Sequence, residues 1–315
     1  MRLYRHEFDL PPDARGAVVT LGNFDGVHPG HQAVIAKAAE IARATGRPLA
    51  VLTFEPHTRA FFNPGQPPFR LTPLRAKLHA METLGIESVV ALTFNQSMAQ
   101  LSPDDFVSSV LVRGLGVSHA VAGGNFRYGH KRGGTMATLE ASGAAHGFGV
   151  TTVDAVTDPA GIVYSATAIR ALIVAGDLRR AAALLGRPWE IDGHIITGDR
   201  RGRELGFPTA NMKLGEYLPP AYGIYAVRAR LENAPAGNGS GWLDGVANLG
   251  IRPMWRTAEP VLETHLFNFS GDIYGQVLRV QLVERLRAEA NFESVAALIE
   301  QVERDKIAAL AALGR

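Results

Sequence analysis

The chain has 315 residues, 46% of them hydrophobic and 20% charged, with a formal net charge of +2 and no cysteine. That composition is globular and long enough for about two domains, and it excludes disulfides, thiolate nucleophiles, iron–sulfur clusters and cysteine-ligated zinc. A charge this mild, with no basic stripe, argues against nucleic acid as a partner. With no signal-like apolar start and no apolar run long enough for a bilayer, a cytoplasmic chain that binds no membrane is expected.

The first half alternates between two periodicities. Ala17–Leu21 reads as a short buried strand, and Gln32–Thr45 as a helix with Val34, Ile35, Ala38, Ile41 and Ala42 on one face and Gly46 at its end. Leu49–Phe54 is a second strand. Thr72–Leu84 is a helix with Thr72 as N-cap and Pro73 at the first position. Ser88–Phe94 is a third strand. Ser102–Leu115 repeats the Ser-Pro start and places Asp104 and Asp105 at the positive helix end. His119–Ala122 and Val150–Val153 complete five strands. Strands alternating with helices at these spacings predict a parallel sheet with helices on both faces.

A helical stretch, Ser165–Leu185, precedes a change of character. Short β-rich pieces follow at Ile191–Thr197, Gly223–Leu231, Trp242–Leu249, Glu263–Phe269 and Val277–Glu284, separated by turns rich in Gly, Pro and Asn. They predict an antiparallel barrel or sandwich. A helix over Asn291–Leu313 closes the chain. The expected fold class is therefore α/β + β, with a boundary near Gly186–Pro188 that gives domains 1–186 and 187–315.

Two loops carry chemistry. In GNFDGVHPGH, Gly22–His31, the glycines at 22 and 26 permit tight turning and close approach to a ligand. The helix that follows offers unpaired N–H groups and a positive end, which suits phosphate. His28 and His31, three apart, share one face of its first turn, where they can donate to phosphate oxygens as charge builds. No Lys-Ser/Thr pair follows, so this is not a P-loop. A plain connecting loop with exposed histidines and a zinc site remain open, although the spacing is not that of HExxH and no third ligand is evident. In GDRRGRELGFPTAN, Gly198–Asn211, the glycines at 198, 202 and 206 accompany Arg200, Arg201 and Arg203 before the PTAN turn. Backbone N–H groups of such a loop can close over nucleotide phosphates. Oxygens on Thr209 and Asn211 suit Mg²⁺ beside them. A hairpin loop with solubilising arginines is the alternative.

GNFDGVHPGH contains the HxGH signature of nucleotidyltransferases and resembles, as a whole, the bacterial bifunctional riboflavin kinase/FMN adenylyltransferases. SATAIR, Ser165–Arg170, is similar to that family's SSTxIR segment, with Ala166 where serine is usual. TFEPHT, Thr53–Thr58, and GGNFRYGHKRGG, Gly123–Gly134, are similar to its flavin-side elements, with Thr58 and Asn125 in place of the commoner proline and acidic residue. GRELGFPTAN resembles its riboflavin kinase signature. GIYAV, GVANLGIRP, ETHLFNF and LRAEANF then follow in the family's order, with Met254-Trp255 where the family has Thr-Phe.

The resemblance implies a Rossmann-like nucleotidyltransferase domain followed by a barrel riboflavin kinase domain with a terminal helix. The implied reactions are phosphorylation of riboflavin to FMN and adenylylation of FMN to FAD, with ATP as substrate in both and Mg²⁺ as cofactor. It implies catalytic roles for Glu263 (the kinase base), His28, His31 and Arg170 (the pyrophosphate side). Gly22, Asn23, Phe24, Asp25, Gly26, Ser165, Thr167, Gly198, Arg203, Gly206 and Pro208 would meet ATP and its phosphates. Phe54, His57, Asn125, Phe126, Arg127 and Arg287 would meet flavin, and Thr209 and Asn211 the metal. A single-activity nucleotidyltransferase with a degenerate kinase domain and a non-catalytic flavin-binding protein are the rival readings. Self-association is not readable.

Overall fold

A computed structural model describes residues 1–197, 206–232, 241–251 and 259–315. The expectations at Gly198, Arg203 and Met254-Trp255 lie outside the described residues. By internal contacts the chain forms two compact units, Met1–Gln66 with Lys77–Ser165, and Pro67–Ala76 with Ala166–Arg315.

The first unit is a parallel sheet. Its strands are β1 (Arg2–Tyr4), β2 (Val18–Leu21), β3 (Leu49–Glu55), β4 (Ser88–Thr93), β5 (His119–Gly123) and β6 (Gly149–Val153), in the order β1-β4-β3-β2-β5-β6. Every pairing is parallel. Two apolar clusters cover the two faces. One gathers Val19, Leu21, Leu52 and Leu92 with Phe106, Leu111 and Leu139. The other gathers Val18, Val51, Val89 and Val121 with Ile35, Ala38 and Met81. Helices on both sides explain why the strands read as continuous apolar runs. The chain leaves β2 toward β3 and β4 on one side and returns through β5 and β6 on the other. The order thus reverses between β2 and β5, the place where such sheets bind ligands.

Around this sheet lie α1 (Pro29–Thr45), α2 (Thr58–Phe62), α3 (Leu74–Met81), α4 (Gln96–Gln100), α5 (Pro103–Asp105) and α6 (Met136–His146). Gly46 ends α1 at a left-handed φ of 63°, as its position suggested. Ser102 caps α5, accepting from the Asp105 N–H at 3.1 Å. Beyond Asp105 the helix runs on as a π-helix over Phe106–Leu115, a wider winding that apolar spacing does not announce. The second predicted helix, Thr72–Leu84, is shorter, at Leu74–Met81.

The second unit holds α7 (Ala166–Ala175) and α8 (Leu178–Leu185). The single predicted helix is broken by Gly176 at a φ of 82°, and Asp177 caps α8 at the Arg180 N–H, 3.2 Å away. The strands are β7 (Trp189–His194), β8 (Ala210–Lys213), β9 (Gly223–Leu231), β10 (Leu243–Ile251), β11 (Pro260–Leu266) and β12 (Val277–Arg287). They are antiparallel in the order β7-β12-β9-β10-β11-β8. An Ile196↔Asn211 bridge brings the two ends together, so among the described residues the sheet is a nearly closed six-stranded barrel. Leu249, Leu262, Tyr225, Leu282 and Trp189 are buried among its residues.

A helix, α9 (Val295–Ala312), covers the other face, packing Ala309 and Leu313 on Ala226, Val246 and Phe267. Arginines help hold it: Arg287 donates to both carboxylate oxygens of Asp305 at 2.8 and 2.6 Å, Arg228 to the Leu313 carbonyl at 2.8 Å and Arg179 to the Ala312 carbonyl at 3.2 Å. Pro67–Ala76 is bound into this unit. The Trp189 indole N–H donates to the Leu71 carbonyl at 2.9 Å, and Arg70 exchanges backbone hydrogen bonds with Glu216 and Leu218.

Candidate functional sites

The first site sits at the carboxyl end of β2, at the strand-order reversal. Gly22–His28 turns the chain from β2 into α1, with His28 in the N-cap position. The turn is held in unusual backbone: Phe24 has a φ of 49° and Val27 a φ of 45°, where bulky and β-branched residues are rare. Both side chains are buried in the core cluster under α1. The Val27 carbonyl also accepts from Gln32 Nε2 at 2.9 Å. Burial of these side chains offsets the strain and fixes the turn.

That turn brings the two histidines together. Their rings stack with centroids 3.7 Å apart, and Phe24 meets His31 edge-on at 5.3 Å. A Cβ on Gly30 would come within 3.2 Å of the His28 ring, so glycine keeps the pair uncrowded. The paired imidazoles lie beside the N–H groups of the first turn of α1, a combination of donors and dipole that suits phosphate. Asp25, in the same turn, is buried, 3% exposed.

The loop after β3 is tied to this turn by a lysine that sequence reasoning missed. Lys77 of α3 is fully buried, and its Nζ donates to Thr53 Oγ1 at 3.2 Å and to Glu55 at 3.4 Å. Thr53 donates onward to the Asn23 carbonyl at 3.3 Å, and the Asn23 amide donates to Thr58 Oγ1 at 3.3 Å. One cation thus supports both loops at the strand ends. Removing one partner of a buried pair strands the other charge, so Lys77→Met should cost about 3–5 kcal/mol of stability, measured by urea unfolding. A loss below about 1 kcal/mol would show that the pair is dispensable.

Aromatic rings form the wall beside it. Phe126 stacks on Tyr128 at 5.8 Å, Tyr128 meets Phe106 at 5.5 Å, Phe106 meets Phe54 at 6.4 Å and Phe54 meets Phe94 at 5.5 Å. Phe61 and Phe62 of α2 extend the series to Phe94, and Phe62 is 62% exposed. Such a wall can stack a flat heteroaromatic ring. Phe61, Phe62 and Phe94 were not foreseen, because only the fold brings β4 and α2 beside β3. Burial pushes the Tyr128 phenol up from its ordinary range, which keeps it neutral beside Thr138 Oγ1 at 3.2 Å. His57 accepts from the Arg59 N–H at 3.1 Å and so caps α2. Asn125 and Arg127 are exposed on the loop after β5.

Ser165 lies at the end of the first unit, just before α7. Thr167 and Arg170 fall in the second unit, where Arg170 Nε donates to the Phe69 carbonyl at 2.9 Å and the guanidinium lies 5.5 Å from the Phe69 ring centroid.

The second site is a row across the barrel sheet. Glu263 of β11 stands opposite Asn211 of β8 on one side and Asn248 of β10 on the other. Asn248 stands opposite Ile224 of β9, which is opposite Arg287 of β12. Opposed residues share a face with Cβ atoms about 4.5–5.5 Å apart, so five strands contribute one side chain each to one line. Expected residues Glu263, Asn211 and Arg287 are in it; Asn248 was missed, because register is not visible in a sequence.

The PTAN turn that delivers Asn211 is held from β11: His265 Nδ1 and the Pro208 carbonyl are 2.9 Å apart, and Phe207 packs edge-on against His265 at 5.7 Å. Gly206 enters the turn at a φ of 87°. Among the described residues no group of three or more His, Asp or Glu is placed to hold a metal ion. Asn211 Nδ2 donates to the Thr209 carbonyl at 3.3 Å, which points its Oδ1 away from that bond. Neutral oxygens of this kind fit a Mg²⁺ ion that keeps waters and phosphate oxygens as its other ligands.

Comparisons with known proteins divide at the same two sites. The family model for FAD synthetase matches residues 10–167, and that for riboflavin kinase matches residues 185–313. A bifunctional riboflavin kinase/FMN adenylyltransferase from Bacillus subtilis is 40% identical over 297 residues, covering 92% of this chain and 90% of the relative. One from Pseudomonas fluorescens is 39% identical over 312 residues, covering 99% and 97%. Among solved structures, one described as a macrolide-efflux protein from Streptococcus pneumoniae aligns with a TM-score of 0.83 at 27% identity, over 98% of this chain and 97% of that one. No helix among the described residues is long and apolar enough to cross a membrane.

Proposed function

Since this chain belongs to the family of bifunctional riboflavin kinases/FMN adenylyltransferases, we propose that it makes FMN from riboflavin and ATP and then FAD from FMN and a second ATP. The adenylyl transfer is assigned to residues 1–186 and the phosphorylation to residues 187–315. The observation that carries the reading is that each matched module holds its own assembled polar site: the stacked His28–His31 pair in one, and the Asn211–Glu263 row in the other.

In the first reaction the riboflavin 5′-hydroxyl attacks the γ-phosphorus of ATP. Its proton passes to Glu263 as the new P–O bond forms and ADP leaves. Thr209 and Asn211 would hold Mg²⁺, which neutralises charge on the phosphates when bound. In the second reaction a phosphate oxygen of FMN attacks the α-phosphorus of ATP and pyrophosphate departs. That oxygen is already anionic, so no strong base is needed. His28, His31 and the N–H groups at the start of α1 supply hydrogen bonds where negative charge builds. Phe54 and the neighbouring rings stack the flavin.

The test is to incubate the protein with riboflavin, ATP and Mg²⁺ and to separate the flavins over time. FMN should appear first and pass into FAD, with one pyrophosphate released per FAD. FMN that never becomes FAD would overturn the adenylyl assignment. FAD from supplied FMN, with none from riboflavin, would overturn the kinase assignment. Bound but unchanged flavin would identify a binding protein.

A further inference from the structure

Asn248 stands one rung from Glu263 on the same face of the sheet, with Asn211 one rung beyond. Its Oδ1 is sealed from solvent and has no hydrogen-bond partner among the described residues. Such a group costs about 1–3 kcal/mol, and buried polar groups in folded proteins are almost always paired. Ile224, the neighbour on the side away from Glu263, is apolar and offers no partner. Two residues along β10, on the same face, a Cβ on Gly250 would collide with the Glu289 carboxylate, so the face is closely occupied there.

We propose that Asn248 completes its hydrogen bonding with the polyol chain of the flavin substrate and is thereby a specificity residue of the kinase site. The inference rests on the reading of Glu263 as the group that receives the proton of the terminal hydroxyl. A polyol carries a hydroxyl on every carbon, so a chain whose end is held at Glu263 brings another hydroxyl to the adjacent rung. A hydroxyl can donate to the Asn248 Oδ1 and accept in turn. A nucleotide phosphate accepts only, and is the poorer match.

The test uses the full chain carrying Asn248→Leu, similar in size and without the amide. Riboflavin and lumiflavin, the same ring system without its polyol, are titrated by fluorescence, and kinase kinetics are measured for riboflavin and ATP. Riboflavin binding and kcat/KM should fall about 10- to 100-fold, while lumiflavin binding and the KM for ATP stay within about twofold. FAD formation from supplied FMN, at the other site, should be unchanged, and the retained KM for ATP reports that the barrel is folded. Equal losses for the two flavins, a raised KM for ATP, or unchanged riboflavin kinetics would each overturn the proposal. Should the leucine variant fail to fold, Asn248→Ser keeps a hydroxyl and should give a smaller loss confined to riboflavin. The binding comparison needs no turnover, so it stands apart from the Glu263 reading. A fully active Glu263→Gln variant would sink that reading whatever Asn248 does.

Discussion

Replacing His31 with alanine should reduce FAD formation from FMN by about 10²–10³-fold, the usual effect of losing one donor to a developing oxyanion, and leave riboflavin phosphorylation unchanged. The His28 and His31 rings lie 3.7 Å apart, so alanine removes a stacking partner as well as a donor. His31→Phe separates the two effects, since phenylalanine retains a flat ring and offers no N–H. Both variants should lose adenylylation to a similar extent. Activity recovered by phenylalanine would mean that packing, and not hydrogen bonding, is what the ring contributes. Loss of riboflavin phosphorylation in a folded variant would contradict two separate sites.

The second large effect is expected at Glu263. Glutamine keeps the size and one acceptor oxygen of the side chain but cannot take a proton. Riboflavin phosphorylation by Glu263→Gln should fall by about 10²–10⁴-fold, the range general bases contribute. FAD formation from supplied FMN should proceed at the original rate. The side chain is half-buried on β11 between two asparagines, so the isosteric change leaves the sheet register undisturbed and the Tm close to its original value. A variant that still makes FMN at more than about a tenth of the original rate would exclude Glu263 as the base.

Much of this architecture was legible because its signals are local. Apolar runs gave β2 to β6, Ser-Pro gave the start of α5, and glycine gave the end of α1. GNFDGVHPGH announced a ligand loop because it interrupts that pattern at a strand end. The misses have a common cause. β1 is a three-residue edge strand, RLY, that pairs only with β4 and has no apolar run of its own. β8 hides in the PTAN motif, whose turn chemistry outweighs its strand character. Asn248, Lys77 and the rings of Phe61, Phe62 and Phe94 acquire their places from register and crossover, which bring distant segments together. The break between α7 and α8 is a case of competing signals: continuous apolar spacing argued for one helix, and Gly176-Asp177 ended it.

The left-handed backbone at Phe24 and Val27 has a consequence for how ligands and mutations are felt. These residues hold the turn because their side chains are packed in the core, 2% and 0% exposed. The turn's conformational entropy is therefore lost when the protein folds, and little remains to be lost when nucleotide arrives. Recognition and folding draw on the same contacts. A smaller side chain at either position opens a core cavity and relaxes the turn at once, so stability and catalysis should fall together.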